Sequence, residues 1–356
     1  MSDALIITSP FSGRNKKDKK RIKRLEGIVK KADRKSGNSK RSEVIVTSSV
    51  SQLEYVVKQI FKLKPEVIVM DGGDGTVALF VGLLLQHMPK GYNLPYQALL
   101  PGGTFNLMAK VVGSKKFDEE KYLEDIIMAT DLEKLPVRDF DMMKIRDDRG
   151  VEKYGFSFGV GFPVTLLEEA YKQKKWKYLW LSCVGAKLIG SIALQKTFGR
   201  VLPKKWVAGI QSFLNDYYQR FGRKYHLNIN GDEGEWFGFM AQTIQTIGAP
   251  FSKPFYMAHL SQKKFHAMGT KLSVIKDTDI FSMAAYSWMI YTGRGNLIQG
   301  LDINRQLDKT YITSEEEFKY QVNGDLEHSN GKKFIANRVD IEPGSTLQLI
   351  LPQPKL

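Results

Sequence analysis

Glu66-Val67-Ile68-Val69-Met70-Asp71-Gly72-Gly73-Asp74-Gly75-Thr76 is the stretch from which the rest of the chain can be read. Val67 to Met70 is a continuous apolar run of the length of a buried strand. It ends in a glycine cluster, and Thr76 to Gln86 continues as a mostly apolar stretch of helical length. A strand that ends in glycines can bring backbone N–H groups against phosphate oxygens, because no Cβ obstructs the approach. The following helix points its positive end at the same charge. The spacing is neither GxGxxG nor GxxxxGK(S/T), so neither standard nucleotide fingerprint applies. A tight strand-to-helix turn with no ligand reads the same residues.

Outward from this stretch, strand and helix patterns alternate. Ala4 to Thr8 and Glu43 to Thr47 are strand-like, and so is Gln97 to Leu100. Ile22, Leu25, Ile28, Val29 and Ala32 recur at helical spacing through a lysine-rich background, which describes an amphipathic surface helix. Ser51 to Leu63 and Thr104 to Val112 also read as helices. Strict alternation predicts a Rossmann-like α/β domain with a parallel sheet over residues 1–136.

After Pro136 the texture changes to short strands. Phe140 to Ile145, Tyr154 to Gly159, His226 to Ile229, Gly238 to Thr246, Lys271 to Ile275, Lys319 to Val322 and Leu347 to Leu351 all fit the pattern. Turn residues separate them, including Asn230-Gly231 and Asn323-Gly324. An antiparallel β-sandwich domain is expected over 137–337, interrupted by a helical, basic, aromatic insertion at about 166–223. The C-terminal segment, about 338–356, is expected to pack back on the first domain.

The chain has 356 residues, a formal charge of +15 and one cysteine, Cys183. A lone cysteine excludes an internal disulfide and favours a reducing, cytoplasmic compartment. The N-terminus lacks the layout of a signal peptide, and its apolar run is read as a first strand. Between Arg14 and Arg41, fourteen Lys/Arg face only Asp18, Glu26 and Asp33. From Tyr171 to Asn215 nine more basic residues meet no acid. Such a balance points to anionic partners: nucleic acid, a membrane surface or phosphorylated small molecules.

Two further loops strengthen the phosphate reading. Ser9-Pro10-Phe11-Ser12-Gly13 follows the first strand, and Pro101-Gly102-Gly103-Thr104-Phe105-Asn106 follows the fourth. Parallel strands place their C-terminal ends on one sheet edge, where ligands bind in such folds. A Gly-Gly-Asp-Gly-Thr loop, a Pro-Gly-Gly-Thr-x-Asn loop and a Pro-x-Ser-Gly loop together resemble the diacylglycerol kinase catalytic domain family. That family includes sphingosine, ceramide and bacterial lipid kinases, and its first loop is shared with NAD kinases.

The resemblance implies an ATP-dependent lipid kinase of two domains. Position by position, it implies that Ser9, Pro10, Phe11, Ser12 and Gly13 touch the nucleotide, with Thr47 at the end of the second strand. Gly72, Gly73, Asp74, Gly75, Thr76, Val77 and Ala78 would wrap the phosphates, and Gly103, Thr104 and Asn106 would complete the pocket. Thr47, Thr76 and Thr104 also read as helix caps or turn residues.

Transfer to a lipid hydroxyl also needs Mg²⁺, carried with ATP and with Asp74 at hand, and a carboxylate to accept the proton. The family's Asp-Gly-Glu turn matches Asn323-Gly324-Asp325, which gives Asp325 as base and Glu327 as reserve. Asn-Gly between strands is equally a type I′ hairpin signal, and Asn230-Gly231-Asp232 repeats it. Many bacterial members hold a structural Mg²⁺ through an Asp-rich segment. The comparable stretch, Ala258 to Gly269, has no carboxylate, so that site is expected to be absent. His259 and His266 alone do not make a transition-metal site.

Lys174, Lys175, Trp176, Lys177 and Trp180 interleave cations with indoles, which favours contact with an anionic membrane surface. A helix pair packed on the sandwich with a solvated lysine face is the alternative. The apolar Leu179 to Leu194 is too short to span a bilayer. Three other functions stay open. An NAD kinase shares the first loop, and a degenerate member of the fold could bind lipid or nucleotide without turnover. A nucleic-acid-binding protein is the third, disfavoured because no recognition helix or aromatic RNA-binding sheet is present.

Overall fold

The computed structural model describes residues 3–36, 42–102, 118–129, 131–172, 203–221, 225–243, 264–271, 303–327 and 331–352. The chain divides into two units: Met1–Lys144 with Glu152–Phe156 and Gly344–Leu356, and Ile145–Val151 with Ser157–Pro343. Strands β5 (Val137–Asp147) and β13 (Ile335–Ile350) contribute residues to both.

The first unit is built on a parallel sheet of β1 (Ala4–Thr8), β2 (Glu43–Val46), β3 (Val67–Gly72) and β4 (Tyr96–Pro101), in the order β2-β1-β3-β4. The end of β13 adds alongside β4, with Leu349 opposite Gln97. β1, β3 and β4 read as continuous apolar runs because helices cover both faces. Their side chains alternate. Ala4, Ile6, Val67, Val69, Ala98 and Leu100 form one core with α2 (Arg21–Ser36) and α5 (Glu119–Met128). The opposite positions, Leu5, Ile7, Ile68, Met70 and Leu99, are buried as well. On α3 (Val50–Leu63) and α4 (Asp74–His87), the residues Leu53, Val57, Ile60, Phe80, Val81 and Leu84 are buried too.

Helix α2 follows its periodicity. Leu25, Val29 and Ala32 are buried on one face, while Lys23, Arg24, Lys30, Lys31, Arg34 and Lys35 are exposed. Side chains start α3 and α5: Ser49 Oγ accepts from Gln52 N at 3.2 Å, and Asp118 Oδ1 accepts from Glu120 N and Lys121 N at 3.1 Å each. Helix α5 has no counterpart in the sequence reading. It follows residues 103–117, which hold the expected 104–112 helix and lie outside the described residues.

The second unit is antiparallel, as its turn-separated short strands predict. Strands β7 (Ser157–Gly161), β8 (Tyr225–Ile229), β9 (Asp232–Gln242), β10 (Phe265–Lys271), β11 (Ile303–Leu307) and β12 (Thr310–Val322) join the start of β13. β8 and β7 share the slot between β9 and β12: Asp232 to Trp236 pair with β8, and Gly238 to Gln242 with β7. Stacked rings fill the core, with Tyr320 between Phe158 and Phe334 at centroid distances of 5.7 and 5.1 Å. Helices α6 (Phe162–Lys172) and α7 (Lys204–Phe221) are the described parts of the expected insertion.

One strand expectation needs correction. Tyr154 to Gly159 is two strands, β6 (Glu152–Gly155) and β7, separated at Phe156. The strand expected over Lys271 to Ile275 lies, beyond Lys271, outside the described residues; before it stands β10, where Phe265, Ala267 and Gly269 alternate inward. His266 therefore sits in a paired strand opposite Gln306 and Gln242, while His259 lies outside the described residues.

Candidate functional site

The parallel register sets the edge. Thr8 lies opposite Asp71, and Asp71 opposite Leu100, so the loops after β1, β3 and β4 leave the sheet side by side. The inward alternation that runs Ala4-Ile6 and Val67-Val69 continues to Thr8 and Asp71. The apolar face thus ends in a polar cap.

Asp71, 1% exposed, is the centre of that cap. Its Oδ2 accepts from Thr8 Oγ1 at 2.7 Å and from Asn15 Nδ2 at 2.9 Å, and its Oδ1 accepts from Arg21 Nη2 at 2.8 Å. Asn15 Nδ2 also reaches the Ser9 carbonyl at 2.8 Å. Arg21, the first residue of α2, pairs with Glu119 at the start of α5 as well, and Arg14 joins the same carboxylate. Burial pulls the Arg21 pKa down, but the Asp71 and Glu119 carboxylates outweigh it and the net direction is up. Asn15 Oδ1 and Arg21 Nε are buried with no partner among the described residues. One carboxylate at the end of β3 therefore braces the first loop, α2 and, through Arg21, α5.

The glycines around it are required by space. A Cβ on Gly102 would lie 2.8 Å from both Asp71 Oδ1 and the Gly72 nitrogen. The Gly102 carbonyl accepts Arg14 N–H at 2.8 Å, tying the fourth-strand loop to the first. A Cβ on Gly72 would lie 2.8 Å from the Thr76 Cβ. Helix α4 starts after Gly73 with no side-chain cap, unlike α3 and α5. Among the described residues no side chain caps its first-turn N–H donors, at the positive end of a 14-residue helix. Donors that no described side chain caps and the helix polarity together fit an anionic phosphate.

The expected nucleotide residues separate into exposed and structural ones. Phe11 is 68% exposed and Gly75 is exposed. Ser12 is buried, and both its N–H and its hydroxyl donate to the Ser9 carbonyl, at 3.2 and 3.0 Å. Pro10 and Gly13 lie in and just after that turn, with Gly13 beginning α1 (Gly13–Lys17). Thr47 is buried, its hydroxyl donating to the Thr8 carbonyl at 3.3 Å, and Ser49 rather than Thr47 caps α3. Thr76 sits inside the first turn of α4 rather than capping it. Val77 and Ala78 are buried. Asp74 opens α4, while Gly103, Thr104 and Asn106 lie outside the described residues.

In the antiparallel unit, Asn323 and Gly324 form a tight turn with φ 57° and 84°, closed by Val322 N to Asp325 O at 3.1 Å and Asp325 N to Val322 O at 2.9 Å. Asp325 is exposed at its exit, and Glu327 is exposed two residues on, bridged to Lys333. The membrane-contact candidates Lys174, Lys175, Trp176, Lys177 and Trp180 lie outside the described residues. Among the described residues no helix is long and apolar enough to cross a membrane.

Sequence reasoning missed Asn15, Arg21, Asp71 and Glu119 as the brace. Asp71 and Arg21 were legible: Asp71 continues the Val67-Val69 alternation, and Arg21 stands four residues before Leu25 on the buried face of α2.

Comparison with known proteins places these features. Residues 3–139 match the profile of the diacylglycerol kinase catalytic domain. No curated protein matches the chain. Three solved structures from Bacillus anthracis str. Sterne share the fold. Two are described as candidate diacylglycerol kinases. The first is 15% identical with a TM-score of 0.61, covering 99% of this chain and 98% of that one. The second is 16% identical with a TM-score of 0.59, covering 99% of each. The third, described as a diacylglycerol kinase, is 13% identical with a TM-score of 0.55, covering 99% and 97%. Residues 3–139 are thus similar to the diacylglycerol kinase catalytic domain, and over its length the chain shares the fold of these structures.

Proposed function

We propose that this chain is an ATP-dependent lipid kinase, transferring the γ-phosphate of ATP to a hydroxyl of a lipid such as diacylglycerol or a sphingoid base. The observation that carries the reading is the uncapped, glycine-led start of α4, set beside loops that Asp71 braces at one sheet edge. Magnesium ATP supplies the transferable phosphoryl group and the cation that offsets its charge. The N–H groups of Asp74, Gly75 and Thr76 hold phosphate oxygens, and Gly72 and Gly102 let the loops around them pack closely. Phe11 offers an exposed ring on the neighbouring loop. Asp325 takes the hydroxyl proton of the lipid, a step worth about 10²–10⁴-fold in rate when the base is well placed.

Access to a lipid needs a surface. Lys174, Lys175, Trp176, Lys177 and Trp180 dock the enzyme peripherally on an anionic leaflet, aided by the exposed lysines of α1 and α2. Each such cation adds about 1 kcal/mol near the surface. Sedimentation with phosphatidylserine vesicles should show binding that weakens as salt rises; binding indifferent to salt would remove this part.

Label transfer from γ-labelled ATP into diacylglycerol, sphingoid bases and prenols, with NAD in parallel, tests the whole. A labelled lipid is the expected product, and label in NAD alone would replace the reading with an NAD kinase. A second reading, a binding protein of the same fold without turnover, is favoured by one observation: Asn323-Gly324 is built like the ordinary turn at Asn230-Gly231. ATP binding with no labelled acceptor would select it.

A further inference from the structure

The two Asn-Gly turns of the antiparallel unit are nearly copies. Asn230 and Gly231 have φ 55° and 87°, against 57° and 84° at Asn323 and Gly324, and positive φ at both central residues is the type I′ turn. Each asparagine exchanges two hydrogen bonds with one neighbouring residue. Asn230 N donates to Tyr311 O at 3.2 Å and its Oδ1 accepts Tyr311 N at 3.0 Å. Asn323 N donates to Ser157 O at 2.8 Å and its Oδ1 accepts Ser157 N at 3.3 Å. Each glycine N–H is held by the side-chain amide oxygen of the residue two before the turn asparagine, Asn228 at 2.8 Å and Gln321 at 2.7 Å. Turn chemistry alone accounts for Asn323 and Gly324.

One contact breaks the likeness. The Tyr171 hydroxyl, from the last turn of α6, donates to the Gly324 carbonyl at 3.1 Å. Among the described residues no side chain donates to the Gly231 carbonyl. The Gly324 carbonyl belongs to the peptide bond that leads into Asp325, so fixing it fixes the direction in which Asp325 leaves the turn. Helix α6 is itself anchored for this. At its start, a Cβ on Gly159 would lie 2.9 Å from both the Pro163 Cβ and Gln321 Nε2, so glycine there lets α6 and the Gln321 amide fit together. One turn before Tyr171 and on the same helix face, Glu168 accepts from Lys319 Nζ at 2.6 Å. Lys319 and the buried Gln321 alternate onto one face of β12. Helix α6 thus meets β12 at Lys319 and the turn after it at Gly324, either side of the residue that holds the turn.

We propose that Tyr171 is a positioning residue for Asp325, orienting the Gly324–Asp325 peptide for proton transfer. This rests on the reading of Asp325 as the base. The test measures kcat and KM for ATP in lipid phosphorylation, with thermal melts, for the full chain, Tyr171→Phe and Asn228→Ala. Tyr171→Phe removes one hydroxyl at a half-exposed site, so kcat should fall about two- to tenfold while KM for ATP stays put. Asn228→Ala, which loosens the twin turn, should lower the melting temperature and leave kcat unchanged. Full kcat in Tyr171→Phe, or a loss confined to KM for ATP, overturns this assignment alone. Wild-type protein that phosphorylates no lipid overturns the kinase reading and the assignment together.

Discussion

Arg21 Nη2 donates to Asp71 Oδ1 at 2.8 Å with the two side chains 4% and 0% exposed. A buried ion pair is expensive to assemble and more expensive to break, because the abandoned partner keeps its charge where water cannot reach it. At this sheet edge the pair has company: Thr8 and Asn15 satisfy the other Asp71 oxygen, and Glu119 shares Arg21. The consequence is geometric. The first loop and the start of α2 are held against one carboxylate, and the start of α5 is tied to it through Arg21, next in sequence to the glycines that start α4.

Arg21→Met should therefore destabilise the protein by about 3–5 kcal/mol, because it strands Asp71. Arg21→Lys should cost less but not nothing, since an ammonium cannot serve Asp71 and Glu119 as a fork does. Urea denaturation of both variants checks the order. A methionine variant as stable as wild type would show that the pair does not brace the edge.

Gly102→Ala should do disproportionate damage for one methyl group. Its Cβ would enter the 2.8 Å gap to Asp71 Oδ1 and the Gly72 nitrogen. Overpacking of this kind costs about 1–3 kcal/mol. The displaced β3 end should also raise KM for ATP, measured by titrating ATP in the label-transfer assay. A variant with unchanged stability and KM would mean the gap relaxes freely.

Alkaline stability should report two buried phenols. Burial raises the pKa of Tyr122, whose hydroxyl donates to Ile350 O at 2.6 Å. Burial, then the hydrogen bond to Asp147, raises that of Tyr320. In both, the folded state keeps its proton after the unfolded chain begins to lose it near pH 10. Their contribution is intact below about pH 10 and is lost as pH rises toward the folded values, by up to about 1.4 kcal/mol per pH unit per group. Tyr122→Phe should flatten that decline between pH 10 and 11. A decline as steep as wild type would remove Tyr122 from the explanation.

Much of this was legible in the sequence, and the omissions have physical causes. The Val67-Met70 run, its glycines and the alternation of strand and helix patterns set the parallel sheet, because burial on both faces leaves an unambiguous apolar signature. The Asn-Gly pairs marked both tight turns. The brace was harder to see. Arg21 lies among many lysines and arginines, and only its place four residues before Leu25 separates it from the solvated ones. Thr47 and Thr76 resembled caps by position, yet Ser49 and Gly73 occupy the cap sites, since a shift of two or three residues decides which side chain reaches the free N–H groups. Strand β10 was hidden because Phe265, Ala267 and Gly269 alternate with His266 and Met268, a pattern of modest contrast. The role of Tyr171 could not be read at all: it joins positions 153 residues apart, which no local spacing encodes.

Lipid phosphorylation by wild type, Asp325→Asn and Asp232→Asn, run side by side, asks whether Asp325 is the base. The two aspartates leave twin turns, so the substitutions perturb equivalent local structure while only one removes the proposed base. Asp325→Asn should lose about 10²–10⁴-fold in kcat while Asp232→Asn stays near wild type. Equal activity in the two variants would contradict it.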